Sequence, residues 1–209
     1  MADLKVEQYV VGQVMTNCYF AINQETREMI VIDPGDGAMH LSKKIREKGY
    51  LPKAILLTHG HFDHAMAAKD LAEEFDIPVY AHEQEKETLE TPQINLSTMM
   101  GVAQSYHADC YVKDEEILEL AGFSIEVFFT PGHTAGGCCY YFKKEQCVFS
   151  GDTLFQESIG RTDFPGGSAS TLVNSVKTKL MPLPGQIKVY PGHNSSTTIG
   201  WEREYNPFL

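Results

Sequence analysis

Three observations predict an α/β domain built in layers. Short apolar segments alternate with segments of helical period in both halves of the chain. Most of the apolar segments run into a loop that contains glycine. The 209 residues are 43% hydrophobic and 22% charged, a globular balance that fits one domain over 1–209 with a core large enough to need no cross-links.

The elements follow in order. Val14–Ile22 and Met29–Ile32 read as strands joined by the polar turn Asn23-Gln24-Glu25-Thr26, and Asp33–Gly37 is a turn cluster. Ala38–Lys48 carries Ala38, Leu41 and Ile45 at helical spacing, with Gly49 as its stop. Ala54–Leu57 is a short strand, Met66–Phe75 a helix and Val79–Ala81 a strand, while the acidic run Glu83–Glu90 reads as a solvated helix face. Thr91–Asp109 is irregular, and a loop of that length in a compact domain implies a task such as covering a site. Phe123–Phe129, Cys138–Phe142 and Cys147–Ser150 read as strands. Ser170–Leu180 reads as a helix with Leu172, Val176 and Leu180 on one face, and Ile187–Tyr190 as the last strand.

Charge and cysteine usage exclude several roles. With 17 basic against 28 acidic residues the formal charge is −11, which makes nucleic acid an unexpected partner. No apolar run approaches the roughly 18 residues of a membrane span, so no membrane partner is expected. The N-terminal MADLKVEQYV lacks a signal-peptide pattern, and the five cysteines are odd in number. A reducing, cytoplasmic setting without a disulfide framework is expected.

The densest chemistry lies in Thr58-His59-Gly60-His61-Phe62-Asp63-His64, directly after a strand. Residues two apart in an extended loop point the same way, so His59 and His61 can grip one cation. Asp63 and His64 open the next helix and face a neighbouring position. Imidazole and carboxylate donors suit zinc, iron or manganese better than calcium, and the absence of a thiolate excludes a closed zinc-finger site. Three more strands end on a residue of ligand type: Thr130-Pro131-Gly132-His133, Ser150-Gly151-Asp152 and Tyr190-Pro191-Gly192-His193. Each alone reads as a turn; together with the first motif they supply donors for two divalent ions with positions left open to water, as catalytic sites require. His40, His82 and His107 lack such a context and read as ordinary histidines. Cys138 and Cys139 read as buried small hydrophobes. Asp33 reads first as a turn former and second as a residue that orients a ligand histidine.

In this order the motif at 58–64, His133, Asp152 and His193 resemble the metallo-β-lactamase superfamily, and within it the glyoxalase II-like (hydroxyacylglutathione hydrolase-like) branch. The resemblance covers nearly the whole chain. It includes Ser158–Gly167 and Thr197–Leu209, which resemble short bacterial members of that branch. It implies an αβ/βα four-layer sandwich, two mixed β-sheets flanked by helices, with the metals at one edge. It implies that His59, His61 and His133 hold one metal, that Asp63, His64 and His193 hold the other, and that Asp152 bridges them. True metallo-β-lactamases usually carry cysteine or serine at the position of Asp152, so an aspartate there speaks against β-lactam turnover. Two departures stand out. The last loop reads Pro191-Gly192-His193-Asn194-Ser195 where members usually read Pro-Gly-His-Gly-Pro. The C-terminal helical domain with which full-length glyoxalase II contacts glutathione has no counterpart before Leu209.

The function implied is hydrolysis of a small-molecule thioester, such as S-lactoylglutathione or a related acyl thioester, by metal-bound hydroxide. Two divalent ions are expected, zinc first and iron or manganese next. Asp63 would orient the nucleophile, and a thiolate leaves without a strong general acid. The alternative on the same scaffold is a mononuclear iron persulfide dioxygenase, which also carries His-x-His-x-Asp-His and resembles Gly160–Phe164. Arg161 is the candidate for substrate binding, because a guanidinium pairs bidentately with carboxylates such as those of glutathione. The competing reading pairs Arg161 with Asp163 and lets it brace the loop.

Overall fold

The computed structural model describes residues 3–209. Strands β1 (Leu4–Val11), β2 (Thr16–Asn23) and β3 (Glu28–Ile32) lead into helix α1 (Ala38–Lys48) and strand β4 (Leu51–Leu56). Helices α2 (Phe62–Ala65) and α3 (Ala68–Phe75), strand β5 (Val79–His82), helix α4 (Lys86–Glu90) and strand β6 (Cys110–Val112) complete the first half. These strands form one sheet in the order β1-β2-β3-β4-β5-β6, antiparallel as far as β3 and parallel from there on.

The second half supplies β7 (Ile117–Leu120), β8 (Phe123–Phe129), β9 (Cys138–Phe142) and β10 (Cys147–Gly151). The hairpin β11 (Leu154–Phe155) and β12 (Ser158–Ile159) follows. Helix α5 (Ala169–Ser175), strands β13 (Lys188–Pro191) and β14 (Thr197–Thr198) and helix α6 (Ile199–Tyr205) close the chain. The second sheet runs β14-β13-β10-β9-β8-β7, with β10 and β13 parallel and the other pairs antiparallel.

The apolar strands are buried on both faces, which is why they read as continuous rather than alternating. Along β2, Tyr19 and Ala21 face the second sheet, while Cys18, Phe20 and Ile22 face the helices outside. Along β9, Cys138, Tyr140 and Phe142 face inward, while Cys139 and Tyr141 pack in a second cluster with Val176 and Leu180, just after α5, and Ile199 of α6. The result is four layers, helix–sheet–sheet–helix. Between the sheets Phe149 contacts Tyr19, Phe142 and Tyr190 at ring distances of 5.4, 5.3 and 5.1 Å. Each such aromatic pair adds about 0.5–1.5 kcal/mol beyond its buried area. No helix among the described residues is long and apolar enough to cross a membrane.

Besides adding the short elements β6, β7, β11, β12, β14 and α6, the structure departs from the sequence reading at several points. Strand β1 is an addition: it is a half-exposed edge strand carrying Lys5, Glu7 and Gln8, and edges tolerate such polar residues. The strand expected from Val14 starts at Thr16, because Gly12–Met15 turn the hairpin and Met15 sits at φ 60°. The helix expected over Met66–Phe75 starts earlier and breaks near Ala67, whose N–H donates to the Pro34 carbonyl at 2.9 Å instead of continuing α2. Ser170–Leu180 is α-helical to Ser175 and then widens into a π-turn over Val176–Leu180.

Candidate metal centre

Four strand ends deliver the clustered residues. After β4, Thr58 is the pivot. Its N–H and hydroxyl donate to the two oxygens of buried Asp33 at 2.7 and 2.6 Å. The Thr58 carbonyl accepts from the Cys138 N–H at 2.9 Å, and the Tyr140 hydroxyl donates to the Leu57 carbonyl at 2.9 Å. Core residues of the opposite sheet thus fix the point from which His59 projects.

Hydrogen bonding assigns the tautomers. The Thr58 hydroxyl proton is given to Asp33, so at the 3.1 Å contact His59 Nδ1–H donates to Thr58 Oγ1. His64 Nδ1–H donates to Asp33 Oδ2 at 3.0 Å, and His133 Nδ1–H donates to the Arg161 carbonyl at 2.7 Å. Each ring thus turns Nε2 toward the other clustered residues; on His64, which its neighbouring carboxylates keep protonated, a cation would displace that proton. Among the described residues, six buried polar side-chain atoms lack a hydrogen-bond partner: His82 Nε2 and Glu145 Oε2 elsewhere, and His59 Nε2, His61 Nε2, His64 Nε2 and Asp152 Oδ1 here, where His61 Nδ1 also meets His133 Nε2 at 3.0 Å. Buried polar atoms are nearly always satisfied, so four orphans in one cluster mark a place for a cation.

Three ligand sets emerge with their donor atoms within 4.8 Å of one another: His59, His61 and His133; Asp63, His64 and His193; and His59, His64 and Asp152. Asp152 lies between the first two. Its Oδ2 is 3.5 Å from His133 Nε2 and 3.6 Å from His193 Nε2, and its Oδ1 is 3.5 Å from His64 Nε2. Asp63 Oδ2 accepts from the Thr16 hydroxyl at 2.8 Å and stands 3.3 Å from His193 Nε2.

The electrostatics agree. Burial pushes His59 and His61 well below the usual histidine range, so both rings keep a lone pair at neutral pH. Burial would also lower His64, but Asp63, Asp152 and Asp33 outweigh it and raise that ring to about 10. Burial raises Asp63, yet His64, His193 and the Thr16 hydroxyl hold its carboxyl below the usual range. A cluster with this many converging carboxylates calls for positive charge, which a proton or a metal cation supplies. Imidazole and carboxylate donors with free lone pairs fit a divalent transition metal.

All seven histidines and aspartates singled out in the sequence come together here. Cys138 and Cys139 are buried in β9, as read, with thiols pushed up by burial. Asp33 is the hub that orients both His59, through Thr58, and His64. Glu85 is a correction: in the run expected to be a solvated face it is wholly buried. Its carboxylate accepts from the Gly60 N–H at 2.8 Å, the Gly136 N–H at 2.7 Å and the Thr134 hydroxyl at 3.0 Å. It therefore ties the His59–His61 loop to the loop after His133. Only its place in an otherwise amphipathic stretch, EQEKETLE, could have hinted at this.

A cavity of about 330 Å³ opens over the cluster, lined by His61, Asp63, His133, Asp152 and His193. Leu96, Met99 and Met100 of the irregular segment reach its mouth, as does Arg161. Arg161 donates through Nε and Nη2 to both oxygens of Asp163 at 2.8 and 2.7 Å and lies 3.9 Å over the Phe164 ring, the geometry of the bracing reading. A larger hollow of about 480 Å³ lies between α3 and residues 104–109, and its walls carry none of the clustered ligand residues.

Comparison with known proteins agrees with this geometry. Residues 11–193 match the family model described as metallo-beta-lactamase superfamily. The chain is 38% identical to hydroxyacylglutathione hydrolase GloC of Haemophilus influenzae over 209 residues, covering 99% of this chain and 98% of that protein. It superposes on the crystal structure of BLEG-1 B3 metallo-beta-lactamase with a TM-score of 0.94 and 41% identity, covering 98% of this chain and 99% of that one. It also superposes on TTHA1623 in a di-iron-bound form with a TM-score of 0.84 and 36% identity, covering 97% and 100%. The chain, with its two mixed sheets flanked by helices and its edge cluster of histidines and aspartates, belongs to the metallo-β-lactamase superfamily.

Proposed function

We propose that this protein is a dinuclear metal-dependent hydrolase that cleaves small acyl thioesters. The observation that carries the reading is the pair of ligand sets joined by Asp152, with four buried donor atoms left unsatisfied. His59, His61 and His133 would hold one divalent cation and Asp63, His64 and His193 the other, with Asp152 reaching both. Zinc is the first expectation; the di-iron form of a relative supports two-metal occupancy and keeps iron beside it. When bound, the cations would supply a nucleophile at neutral pH and a positive centre that polarises the acyl carbonyl.

The remaining work falls to the chain itself. Asp63 lines the cavity and orients the attacking water by accepting a hydrogen bond from it. Asp33, Thr58 and the Arg161 carbonyl keep three rings in the tautomer that leaves Nε2 free. A thiolate departs without a proton from a strong acid, which suits a cavity whose histidines are all engaged as ligands. The 38% identity to a protein named hydroxyacylglutathione hydrolase supports a thioester as the scissile group.

Metal analysis combined with turnover tests the reading. Two equivalents of metal per chain and hydrolysis of S-lactoylglutathione or a simple acyl thioester are expected. One tightly bound iron with oxygen uptake on glutathione persulfide would replace it with the dioxygenase. Opening of a β-lactam ring without thioester cleavage would replace it with the activity for which one structural neighbour is named.

A further inference from the structure

We infer that the site selects thioesters with an apolar, uncharged arm, which lies against a wall of aliphatic and methionine side chains beside the ligand cluster. The inference rests on the thioester reading and narrows it. Two segments build the wall. The turn between β1 and β2 contributes Val14, the irregular segment contributes Leu96, Met99 and Met100, and Phe62 of α2 joins them in the lining. Hydrogen bonds hold the second segment over the site: the Phe62 N–H donates to the Asn95 carbonyl at 2.8 Å, and the Asn95 side-chain amide donates to the carbonyls of Leu89 and Gln104.

The wall exposes what the rest of the molecule hides. Val14, Met99 and Met100 are 46%, 68% and 40% exposed. Met15 and Val102 on the same segments are exposed too, so five of the twelve large apolar side chains left open among the described residues lie on these two segments. An apolar patch concentrated at the mouth of a cavity marks a surface that a ligand covers. Methionine has three rotatable bonds and a polarizable sulfur, so it fits itself to chains of differing length.

The rest of the lining withholds what a charged arm would need. Arg161 is the one Lys or Arg among the described residues lining the cavity. Its charge is matched by Asp163 in a bidentate pair, and its plane is stacked on Phe164. A substrate carboxylate in the arm would have to displace Asp163 from Arg161 or go without a cationic side chain on the cavity wall. An uncharged arm meets neither obstacle.

Two substrate series on the metal-loaded enzyme test this and separate its failure from that of the thioester reading. One keeps N-acetylcysteamine as the thiol and lengthens the acyl group from acetyl to hexanoyl. The other keeps acetyl and lengthens an alkyl thiol over the same range. A rise in kcat/KM of about two- to fourfold per added methylene is expected in one series, which identifies the arm that meets the wall. The double variant Met99→Gln/Met100→Gln, altered only at exposed positions, should lose most of that slope, read as the hexanoyl-to-acetyl or hexanethiol-to-ethanethiol ratio. Flat values in both series, with glutathione thioesters preferred, would overturn the inference while leaving the thioester reading intact. If no thioester turns over, the thioester reading fails, and calorimetric titration with unreactive dialkyl thioethers decides the wall: affinity rising with chain length upholds it, and no binding rejects it.

Discussion

Residues 131–133 and 191–193 spell the same tripeptide, Pro-Gly-His, each at the end of a strand, yet the fold holds them in different ways. In the first loop Gly132 adopts φ +130° against the backbone of Leu172, and the His133 ring is fixed by the Arg161 carbonyl. Glu85 grips the following residues, and the Ser175 hydroxyl donates to the Pro131 carbonyl. In the second loop Gly192 is needed for closeness: a side chain there would run into Asp152 Oδ1 and the His64 ring. That loop hangs from strand β2, through Asn17 to the carbonyls of Pro191 and Asn194 and through the Tyr19 hydroxyl to Pro191. His133 is almost wholly buried, whereas the His193 side chain is 22% exposed. A short motif thus specifies which residue reaches the centre, while its surroundings decide how rigidly it is held.

The largest expected effect removes what the two loops share. Asp152→Ala takes away the one carboxylate between His133 and His193 and leaves His64, His133 and His193 without their common partner. Loss of a partner that merely orients a ligand weakens metal binding about 10–100-fold, so this variant should lose more than about 100-fold in turnover together with metal content. Near-normal metal content in Asp152→Ala would break the comparison, because the loops would then act independently.

The next effect should divide the loops. His133→Ala is expected to lose one equivalent of metal that resists chelation in the parent, and His193→Ala to lose the equivalent that leaves first. Following metal release against a chelator in both variants checks this. Identical release curves would mean that exposure and anchoring do not rank the two sites.

The contrast also shows what a sequence makes legible. The seven clustered residues could be read because each is announced locally, by strand, glycine and ligand type within a few positions. The layered fold was readable because strands buried on both faces are apolar throughout. Glu85 was hidden, since its partners Gly60 and Gly136 are distant in the chain and its neighbours Glu83 and Glu87 are ordinary acidic residues. Asp33 was legible as a turn residue, and its grip on Thr58 and His64 needed the register of β3 beside β4. Strand β1 escaped because an edge strand has one partner and can keep polar residues on it.

Smaller effects sharpen the comparison by loosening each loop separately. Glu85→Gln keeps the volume but turns an amide donor toward groups that already donate, and Asn17→Ala removes the bonds to Pro191 and Asn194. Leaving such buried groups unpaired costs about 1–3 kcal/mol each. Glu85→Gln should weaken the more tightly held metal about tenfold and spare the other, and Asn17→Ala should do the reverse. Metal titrations of both variants test the cross-over, and equal weakening of both sites by either variant would show the loops to be coupled.

Acid stability supplies the control, and it is the smallest effect expected. Glu7, at the far side of the first sheet, is paired with Lys48 at 2.7 Å and Lys5 at 2.8 Å and accepts from the Tyr9 and Tyr50 hydroxyls. Burial alone would raise its pKa, but Lys48, Lys5 and the two tyrosines lower it from 4.5 to about 2. A carboxyl whose pKa is depressed by folding adds stability above its unfolded pKa and gives it up as pH falls through the folded value. The window therefore runs from about pH 4.5 down to about 2. Both lysines are well exposed, so solvent screening reduces the contribution to about 1 kcal/mol. Glu7→Gln should lower the thermal midpoint at pH 7 by a few degrees, and that difference from the parent should vanish near pH 2, with melts taken on metal-free protein. Metal affinity at pH 7 should be unchanged in this variant, because nothing in the Glu7 cluster touches either Pro-Gly-His loop. A shift in affinity there would mean that whole-fold stability, rather than the anchoring of each loop, governs how the two sites differ.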